Sequence, residues 1–390
     1  MNIKIIAIAS TGTGISGGDR IYIELSRNWS KSHNVEIVTT VEGVNMCKTQ
    51  KLSGKYLKIT SVNDKLPNNF LLKYLYKIVI GAKYAISINI KNREKTYIYS
   101  ASEFWMDTFT CVILKLRHKR AKWIATWYQT APNPFKGFQE AKRENAYNFQ
   151  ALMYWVAQLP VKPLINLFAD YVIVNNEDER KRFPKFKNKM FVLIGAVRID
   201  EIEKFRKKYK SEEKNIDAVF QGRFHPQKGV VELVEIWRMV VDQIPSAKLV
   251  MIGDGSLMEE VKEKIRNLQL QKNVKLLGYV FDGVTKYKTF AKSKMVVHPA
   301  YYDSGGMASA EAMAFGMPVI GYDLLAFKSY YKKGMVKVDK GNIDKFASAV
   351  IELLNDGKKR TKIGNEARSY IETNYSWKVR SNEFLDYLHI

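Results

Sequence analysis

Cysteine is scarce in this sequence, and its scarcity limits the kinds of protein that the chain can form. Only Cys47 and Cys111 occur among 390 residues. They lie far apart in the chain and lack the paired spacing of a zinc site. The sequence therefore argues against a disulfide framework and against a structural metal, and it fits a reducing, cytoplasmic environment.

Long apolar runs free of charge are also missing, and no stretch reaches the roughly 18 residues that a membrane-spanning helix needs. Near the N-terminus, only Ile5 to Ser10 separate Lys4 from a glycine-rich stretch. This segment is shorter than the apolar region of a signal peptide and predicts a first β-strand instead. We therefore expect a cytoplasmic protein without transmembrane helices, and peripheral attachment to the cytoplasmic face of a membrane stays open.

Acidic residues are outnumbered by basic ones. The chain has 63 Lys and Arg against 39 Asp and Glu, a formal net charge of +24, and most of the excess lies in residues 1–200. Such a field attracts polyanions, including anionic lipid headgroups and phosphorylated substrates, but a basic surface also simply keeps a protein soluble. Because the lysines are scattered and no RNA-binding motif occurs, we do not expect nucleic acid as a partner.

Strand-like apolar segments alternate with helical patterns along the whole chain. Residues 3–9 predict the first strand, and Asp19 is a candidate N-cap for the helix that follows. Strands that alternate with helices of ten or more residues predict parallel sheets covered on both faces. The predicted fold class is therefore α/β, with one doubly wound domain in residues 1–200 and a second in residues 201–375.

Two segments depart from this rhythm. Residues 70–90 mix Leu, Ile, Tyr and Lys, and residues 149–168 are strongly apolar but interrupted by Pro160, Lys162 and Pro163. As helices, both would carry broad apolar faces with aromatic and lysine edges, a pattern typical of helices in a membrane interface. Ordinary core helices of the first domain have the same pattern, and both interpretations stay open.

A first glycine-rich loop follows the first predicted strand. It runs from Thr11 to Gly18, with glycines at 12, 14, 17 and 18. Glycines at such a place let backbone N–H groups approach a ligand closely, and the start of the next helix favours an anion. A tight turn without any ligand would have the same sequence, so the loop alone does not identify a site.

A second loop, Gly222 to Gly229, directly follows the first strand of the second domain. Arg223 and Lys228 lie at the carboxyl end of that strand, where open α/β sheets bind ligands. A guanidinium offers a bidentate fork to phosphate oxygens, and an ammonium adds a compact charge, so the pair suits a diphosphate. The alternative is that both are surface residues of a turn.

A third stretch, His298 to Ile320, carries the most specific pattern. Asp303 precedes a glycine loop, and Glu311 lies eight positions later on a short helix of Ala and Met. A carboxylate on such an apolar helix needs a partner, because burying it alone is costly. A pair of sugar hydroxyls is one candidate partner, and a backbone or arginine contact is the other.

These residues resemble a GT-B glycosyltransferase, specifically glycosyltransferase family 4. The family pattern G-R-x4-K-G, a G-x-G turn, E-x7-E and A-x-G-x-P-V-I corresponds to the segments Gly222–Gly229, Gly253–Gly255, Asp303–Glu311 and Ala314–Ile320. The resemblance covers nearly all of residues 215–377 and extends more weakly to the Gly17-Gly18 loop and to the C-terminus. It implies two Rossmann-like domains facing across a cleft, with a C-terminal helix at 376–390 packing back on the first.

The resemblance also implies site residues. In the second domain, Arg223 and Lys228 would neutralise the donor diphosphate, and Asp303 would complete the catalytic set. The implied donor-binding residues are Gly18, Arg223, Lys228, Tyr279, Val280, Asp303, Gly305, Gly306, Met307 and Glu311. Among them, Glu311 would bind the nucleotide ribose, Tyr279 and Val280 would flank the base, and the amides at 305–307 would hold sugar and phosphate.

Two departures from the family pattern affect these roles. The first acidic position is Asp303 rather than Glu, one methylene shorter, so donor-sugar contacts are expected to differ. Many members also carry a His after a strand of the first domain, whereas this chain has Thr126-Trp-Tyr-Gln129 there. Tyr128 or Gln129 is the candidate replacement on the acceptor side. Asp107 is a candidate acceptor-side base, or simply a helix residue.

The activity implied is a retaining transfer of a hexose from a nucleotide-diphosphate sugar to a glycan or lipid-linked acceptor. A UDP-sugar is favoured over a GDP-sugar, and no metal cofactor is expected. The implied processes are glycan biosynthesis, protein glycosylation and lipid-linked oligosaccharide assembly. The alternatives are another GT-B enzyme (a sugar phosphorylase or a nucleotide-sugar epimerase), a basic nucleic-acid-binding protein, and a catalytically inactive GT-B-like protein.

Overall fold

A computed structural model describes residues 1–11, 15–131, 149–193, 195–209, 213–303 and 305–389, with side chains at 149–151 and 329 left out of the description. Gly12, Gly14 and Ser304 of the predicted glycine loops lie outside these ranges. The chain divides into two compact units. The first comprises Met1–Pro134, Asn148–Gly195 and Trp377–Ile390, and the second contains Ala196–Ser376, so the division falls slightly before the predicted boundary.

The first unit contains a seven-stranded parallel sheet in the order β3-β2-β1-β4-β5-β6-β7. Its strands are β1 (Asn2–Ala7), β2 (Asn34–Thr39), β3 (Leu57–Ser61), β4 (Thr96–Ser100), β5 (Lys122–Trp127), β6 (Tyr171–Val174) and β7 (Met190–Val192). Its helices before the division are α1 (Gly17–Trp29), α2 (Val41–Thr49), α3 (Phe70–Ser87), α4 (Trp105–Arg117), α5 (Phe149–Gln158), α6 (Val161–Phe168) and α7 (Glu177–Arg180).

The second unit contains a six-stranded parallel sheet in the order β10-β9-β8-β11-β12-β13. Its strands are β8 (Ile216–Gln221), β9 (Leu249–Ile252), β10 (Val274–Leu276), β11 (Ser293–His298), β12 (Val319–Tyr322) and β13 (Met335–Val338). Its helices are α8 (Ile199–Lys208), α9 (Val230–Gln243), α10 (Met258–Asn267), α11 (Val284–Ala291), α12 (Met307–Ala314), α13 (Leu325–Tyr330), α14 (Ile343–Asn355) and α15 (Gly357–Asn374).

Both sheets have the doubly wound topology, which confirms the predicted α/β class. The central strands are buried on both faces, as a parallel sheet covered by helices requires. In each sheet the strand order reverses beside the first strand, between β1 and β4 in one unit and between β8 and β11 in the other. The carboxyl ends of strands at such a reversal are where doubly wound folds bind ligands.

The start of α1 differs from the prediction. Ser16, not Asp19, is the N-cap, and its hydroxyl accepts the backbone N–H of Asp19. The Asp19 carboxylate reaches back to the backbone N–H of Ser16, which completes a capping box. Asp19 therefore lies in the first helical turn, where its negative charge also interacts favourably with the helix dipole.

The last helix, α16 (Trp377–Tyr387), belongs to the first unit. The Trp29 ring of α1 lies 5.6 Å from the Phe384 ring, and the Trp29 indole N–H donates to the carbonyl oxygen of Ser381 at 3.2 Å. On its other side, Phe384 lies 4.9 Å from the Phe191 ring of β7. The final residues are therefore part of the first unit's core.

None of the helices within the described ranges combines the length and the apolar character needed to cross a bilayer.

We predict that Trp29→Ala lowers the free energy of unfolding of the first unit by about 3–5 kcal/mol, because it leaves a cavity between α1 and α16 and removes the bond to Ser381. Urea denaturation followed by circular dichroism measures the loss. Tyr56→Ala is the matched control, since this side chain is 41% exposed and its removal should cost less than about 0.5 kcal/mol. Equal losses in both variants would contradict the assignment of Trp29 to this core.

Candidate functional site

The loops that follow β8 and β11 meet at the strand reversal of the second unit. The backbone N–H groups of Tyr301 and Tyr302 both donate to the carbonyl oxygen of Gln227, at 2.9 and 3.2 Å. Gly229 has φ +61°, and a Cβ built there would lie 2.2 Å from the carbonyl oxygen of Pro299. Only glycine fits this conformation and this approach, so it fixes Lys228 beside the loop after β11.

Asp303 is the centre of this junction. Its Oδ2 accepts hydrogen bonds from Lys228 Nζ at 2.5 Å and from His298 Nε2 at 2.9 Å. Burial alone would raise the pKa of Asp303, but the Lys228 ammonium and the His298 hydrogen bond outweigh it and hold that pKa well below its usual range. Asp303 is therefore a buried, ionised group that orients Lys228.

The other oxygen of Asp303 binds the start of α12. Its Oδ1 accepts the backbone N–H groups of Gly305 at 3.1 Å and Gly306 at 2.8 Å. We expected these amides to hold the donor sugar and phosphate, and here the Asp303 carboxylate occupies both. Gly306 is the N-cap of α12 with φ +55°, where a Cβ would lie 2.8 Å from the Phe327 ring. Met307 is half-buried as the first residue of the helix.

A second cation lies close to Lys228 in the loop after β8. Arg223 is exposed, and Lys228 is the last residue of a single 3₁₀ turn at Pro226–Lys228. Burial and, to a smaller extent, the nearby charges of Arg223 and Lys228 together lower the pKa of His225 to about 4. His225 is therefore neutral at pH 7, between two cations of the same loop at the carboxyl end of β8.

Glu311 has a partner that neither of the expected interpretations included. Its Oε2 accepts a hydrogen bond from Lys286 Nζ at 2.5 Å, and Lys286 also donates to Asp282 Oδ1 at 2.7 Å. The Lys286 side chain is fully buried, whereas the two carboxylates are about one-eighth exposed. The carboxylate on the apolar helix is thus stabilised by a buried ammonium from α11.

The predicted base-flanking residues follow β10. Tyr279 is 47% exposed, and Val280 beside it is half-buried. The exposed Phe281 ring packs edge-on against the Tyr279 ring, with centroids 4.9 Å apart. This loop therefore presents apolar, aromatic surface to solvent, as a site that stacks on a nucleobase would. A role for Tyr279 and Val280 in binding a base stays a prediction.

Of the two residues predicted to face substrate in the first unit, Tyr128 is packed in its interior and Gln129 is half-buried. Tyr128 is buried, and its hydroxyl lies 2.7 Å from the Tyr99 hydroxyl. A Cβ added to Gly18 would lie 3.0 Å from the Tyr128 ring. The absence of a side chain at Gly18 is therefore explained by this ring. Gln129 is half-buried, and its carbonyl oxygen accepts from Tyr154 and Gln158.

Asp107 is also interior, which corrects its assignment as an acceptor-side base. Its Oδ1 accepts the backbone N–H groups of Ile8 and Ala9, and its Oδ2 accepts the Ser102 hydroxyl. The side chain is fully buried, and burial raises its pKa to about 7. Asp107 ties the start of α4 to the end of β1, which is the helix-residue role considered as the alternative.

Sequence reasoning missed the residues that hold the predicted ones. His298 lies five positions before Asp303 at the end of β11, and no sequence pattern distinguishes it from the other histidines. Lys286 follows Asp282 by four positions, a spacing that predicts an ion pair on one helix face. That spacing was a readable signal, but its connection to Glu311 depends on tertiary structure.

Within the described part of the chain, no group of three or more His, Cys, Asp and Glu side chains is placed to hold a metal ion. Independence from a metal stays a prediction.

Solved structures with the same fold bind nucleotides. The chain matches Anabaena HepE in complex with UDP and glucose at a TM-score of 0.73 and 16% identity, covering 100% of this chain and 99% of that one. It matches a mutant of S. aureus TarM, in complex with Fondaparinux, alpha-GlcNAc-glycerol and UDP, at a TM-score of 0.74 and 15% identity, covering 100% of both chains. These matches confirm the predicted GT-B fold class.

A family model matches most of the second unit. Residues 201–370 match the model of the family "Glycosyl transferases group 1", so this region is similar to that family. A curated relative, the poly(glycerol-phosphate) alpha-glucosyltransferase of Bacillus subtilis (strain 168), is 28% identical over 182 residues, 43% of this chain and 26% of that protein. The chain spans less than half the length of the first curated relatives that it matches.

The lowered pKa of Asp303 predicts a pH dependence of stability. A carboxyl group with a depressed folded pKa stabilises the protein fully above its unfolded value near pH 4, and this stabilisation is lost as the pH falls towards the folded pKa. Below about pH 4, we expect the free energy of unfolding of the wild type to fall faster than that of Asp303→Asn, by up to about 1.4 kcal/mol per pH unit. Urea titrations from pH 7 to pH 2.5 measure both slopes. Parallel curves would show that Asp303 is not ionised in the fold.

Proposed function

We propose that this chain is a retaining glycosyltransferase that moves a hexose from a nucleotide-diphosphate sugar, with UDP favoured over GDP, to a glycan or lipid-linked acceptor. The family match of residues 201–370 and the relatives named as glycosyltransferases support the activity. The UDP in the HepE and TarM complexes supports the donor class. More specific membership in glycosyltransferase family 4 is part of the proposal.

One observation carries this proposal: two cations gather at the carboxyl end of β8 beside the start of α12. An ammonium has three hydrogen-bond donors, and Asp303 accepts one of those of Lys228. A departing diphosphate can accept from Lys228 while Asp303 keeps the ammonium oriented. Arg223, which is exposed, adds a guanidinium fork for phosphate oxygens.

The proposed reaction breaks the bond between the anomeric carbon and the diphosphate oxygen, and the electron pair leaves with the nucleoside diphosphate. The sugar passes through an oxocarbenium-like transition state. The acceptor hydroxyl oxygen bonds the anomeric carbon on the same face, and its proton goes to the departing phosphate oxygen. Stabilising the developing phosphate charge with fixed cations lowers the barrier, because the ion pair needs little reorganisation as charge develops. The proposal includes no metal.

We predict that a UDP-sugar raises the melting temperature of the wild type in a panel of UDP-, GDP- and ADP-sugars. Arg223→Ala and Glu311→Ala should reduce transfer by at least about 100-fold, because one loses a diphosphate cation and the other the ribose acceptor. Transfer is measured as release of the nucleoside diphosphate that depends on added acceptor, in the presence of EDTA.

Lys294→Met is the control for that experiment, since this lysine pairs with Asp217 at 2.7 Å at the opposite, amino-terminal end of the second sheet. It should retain transfer. Wild-type turnover in Arg223→Ala or Glu311→Ala would refute the site. Phosphate-dependent cleavage of a glycan, or isomerisation of the nucleotide sugar without transfer, would favour the phosphorylase or the epimerase.

A separate feature supports a membrane-associated acceptor. The first unit has an apolar helix face, made of exposed side chains of α3, the residue before α4, and α5 with the residue after it: Phe70, Leu71, Leu72, Leu75, Tyr76, Val79, Ile86, Phe104, Met153, Val156 and Leu159. Trp105 joins these elements, because its ring lies 6.1 Å from the Tyr74 ring and its indole N–H donates to the carbonyl oxygen of Ala157 at 2.6 Å.

Lysines accompany the apolar helix face. Helix α3 contains no Asp or Glu, and of its lysines Lys83 is exposed, whereas Lys77 is buried and both Lys73 and Lys77 pair with Glu42 of α2. Residues 149–168 contain Lys162 as their one charged residue. An apolar surface edged by lysine suits an anionic bilayer surface, where the side chains enter the interface and the ammonium groups meet lipid phosphates. We therefore include a peripheral position on the cytoplasmic face of a membrane in the proposal.

We predict that the wild type co-sediments with vesicles of phosphatidylglycerol and phosphatidylcholine at physiological salt. The double variant Leu71→Glu, Leu75→Glu should bind at least about 10-fold more weakly. It removes two exposed leucines that would enter the bilayer interface, and it adds negative charge that anionic lipid headgroups repel. Tyr56→Glu is the matched control, because it adds one negative charge at an exposed aromatic side chain of the same unit outside α3–α6. A wild type that ignores these vesicles overturns the membrane part of the proposal.

A further inference from the structure

Lys286 is the most deeply buried cation among the contacts described around the candidate site. It has no exposed side-chain surface and contacts Asp282 at 2.7 Å and Glu311 at 2.5 Å. Its ammonium also lies 5.7 Å from the centre of the Phe290 ring. Two of these contacts come from the helix α11 region itself, and the third, Glu311, comes from α12. The ammonium is therefore held by residues of its own segment, and Glu311 adds a contact from a second helix.

The balance of charge in this cluster distinguishes it from the phosphate-binding cations. Among the three side chains of the described contacts, one ammonium meets two carboxylates, so these three together carry an excess of one negative charge. A net negative, partly buried cluster attracts hydrogen-bond donors such as hydroxyl groups and repels phosphate. The charge around Arg223 and Lys228 has the opposite sign and attracts phosphate. The two clusters thus suit the two ends of a nucleoside diphosphate.

We propose that Lys286 is a positioning residue for the ribose: it holds one oxygen of Glu311 so that the carboxylate accepts hydrogen bonds from the ribose hydroxyls in a fixed geometry. This inference rests on the proposed function, because it requires that Glu311 binds the ribose. A carboxylate can accept several hydrogen bonds at once, so the bond from Lys286 does not exclude a ligand. Without Lys286, Glu311 would still be present on α12, but its carboxylate would lose its fixed orientation.

Surrounding groups also favour an ionised, oriented Glu311. Tyr287, next to Lys286 on α11, is close enough to Glu311, Glu201 and Asp282 that their negative charges add to burial in raising its pKa. Its hydroxyl stays protonated and donates to Glu201 Oε2 at 3.4 Å. Tyr287 thus adds no charge to the cluster. Lys286 is a cation in direct contact with Glu311, and we assign the positioning role to it.

The test compares a ribose with a sugar that lacks both hydroxyls. Titration calorimetry measures the dissociation constants of UDP and GDP and of their 2′,3′-dideoxy forms for the wild type, Lys286→Met and Lys286→Gln. We expect the wild type to prefer the ribose form of its nucleotide by at least about 10-fold, the scale of one hydrogen bond to a charged group. In both variants that preference should fall below about 3-fold, while binding of the dideoxy form changes less than about 2-fold.

Two controls separate positioning from general damage. Lys294→Met removes a lysine that also pairs with one carboxylate of the second unit, and it should keep the full ribose preference. Inorganic pyrophosphate probes the Arg223 and Lys228 end alone, so its unchanged affinity shows that a variant retains a folded site. Lys286→Gln keeps a polar side chain of similar length. If Lys286→Met loses pyrophosphate binding, the comparison of ribose and dideoxy forms is made with Lys286→Gln instead.

The outcomes separate the two proposals. If the wild type binds neither UDP nor GDP, the proposed function fails, and this inference fails with it. If the wild type binds its nucleotide without preferring the ribose form, or if both variants keep the preference, the positioning role is wrong while the proposed function stands. An equal loss of affinity for the ribose and dideoxy forms likewise overturns the inference, because a purely structural lysine would produce that result.

Discussion

The candidate site depends on one ionised carboxylate inside the second unit. Asp303 joins three pieces of backbone: Lys228 after β8, His298 at the end of β11 and the amides at the start of α12. Burial works against its charge, and the lysine and histidine more than compensate. Because the same group orients the cation and closes the helix start, the position of Lys228 and the path of the loop cannot vary independently. The shorter Asp in place of Glu therefore belongs to a tightly connected network.

The sequence was sufficient to predict the fold class, because the fold class depends on local patterns. Alternating strands and helices predict parallel sheets, and the GT-B class is confirmed. The glycines in the loop after β8 mark a turn that the structure explains at Gly229, where Pro299 leaves no room for a Cβ. Such positions are readable because the backbone conformation and the residue type determine each other.

Residues whose roles depend on tertiary neighbours could not be predicted. Asp107 and Tyr128 follow strands of the first sheet, as substrate-facing residues often do, but their side chains turn inward to backbone amides and to Tyr99. The contact of Lys286 with Glu311 could not be predicted for the opposite reason, because a lysine on a short helix suggests solvent exposure, whereas this side chain is fully buried. Hydrophobic periodicity predicts which face of a helix is apolar. It does not predict which charged side chain of another element contacts that helix.

The place of α16 has a consequence for how the protein is made. The second unit contains Ala196–Ser376, while the first unit contains strands β1–β7 before this segment and Trp377–Ile390 after it. In order of connectivity, the second unit is an insertion within the first. A ribosome therefore synthesises Ala196–Ser376 before it releases the helix that Trp29 contacts, so Trp29 stays without Phe384 and Ser381 through roughly the second half of translation. Nascent chains of this protein should depend on chaperones chiefly through the half that is synthesised first.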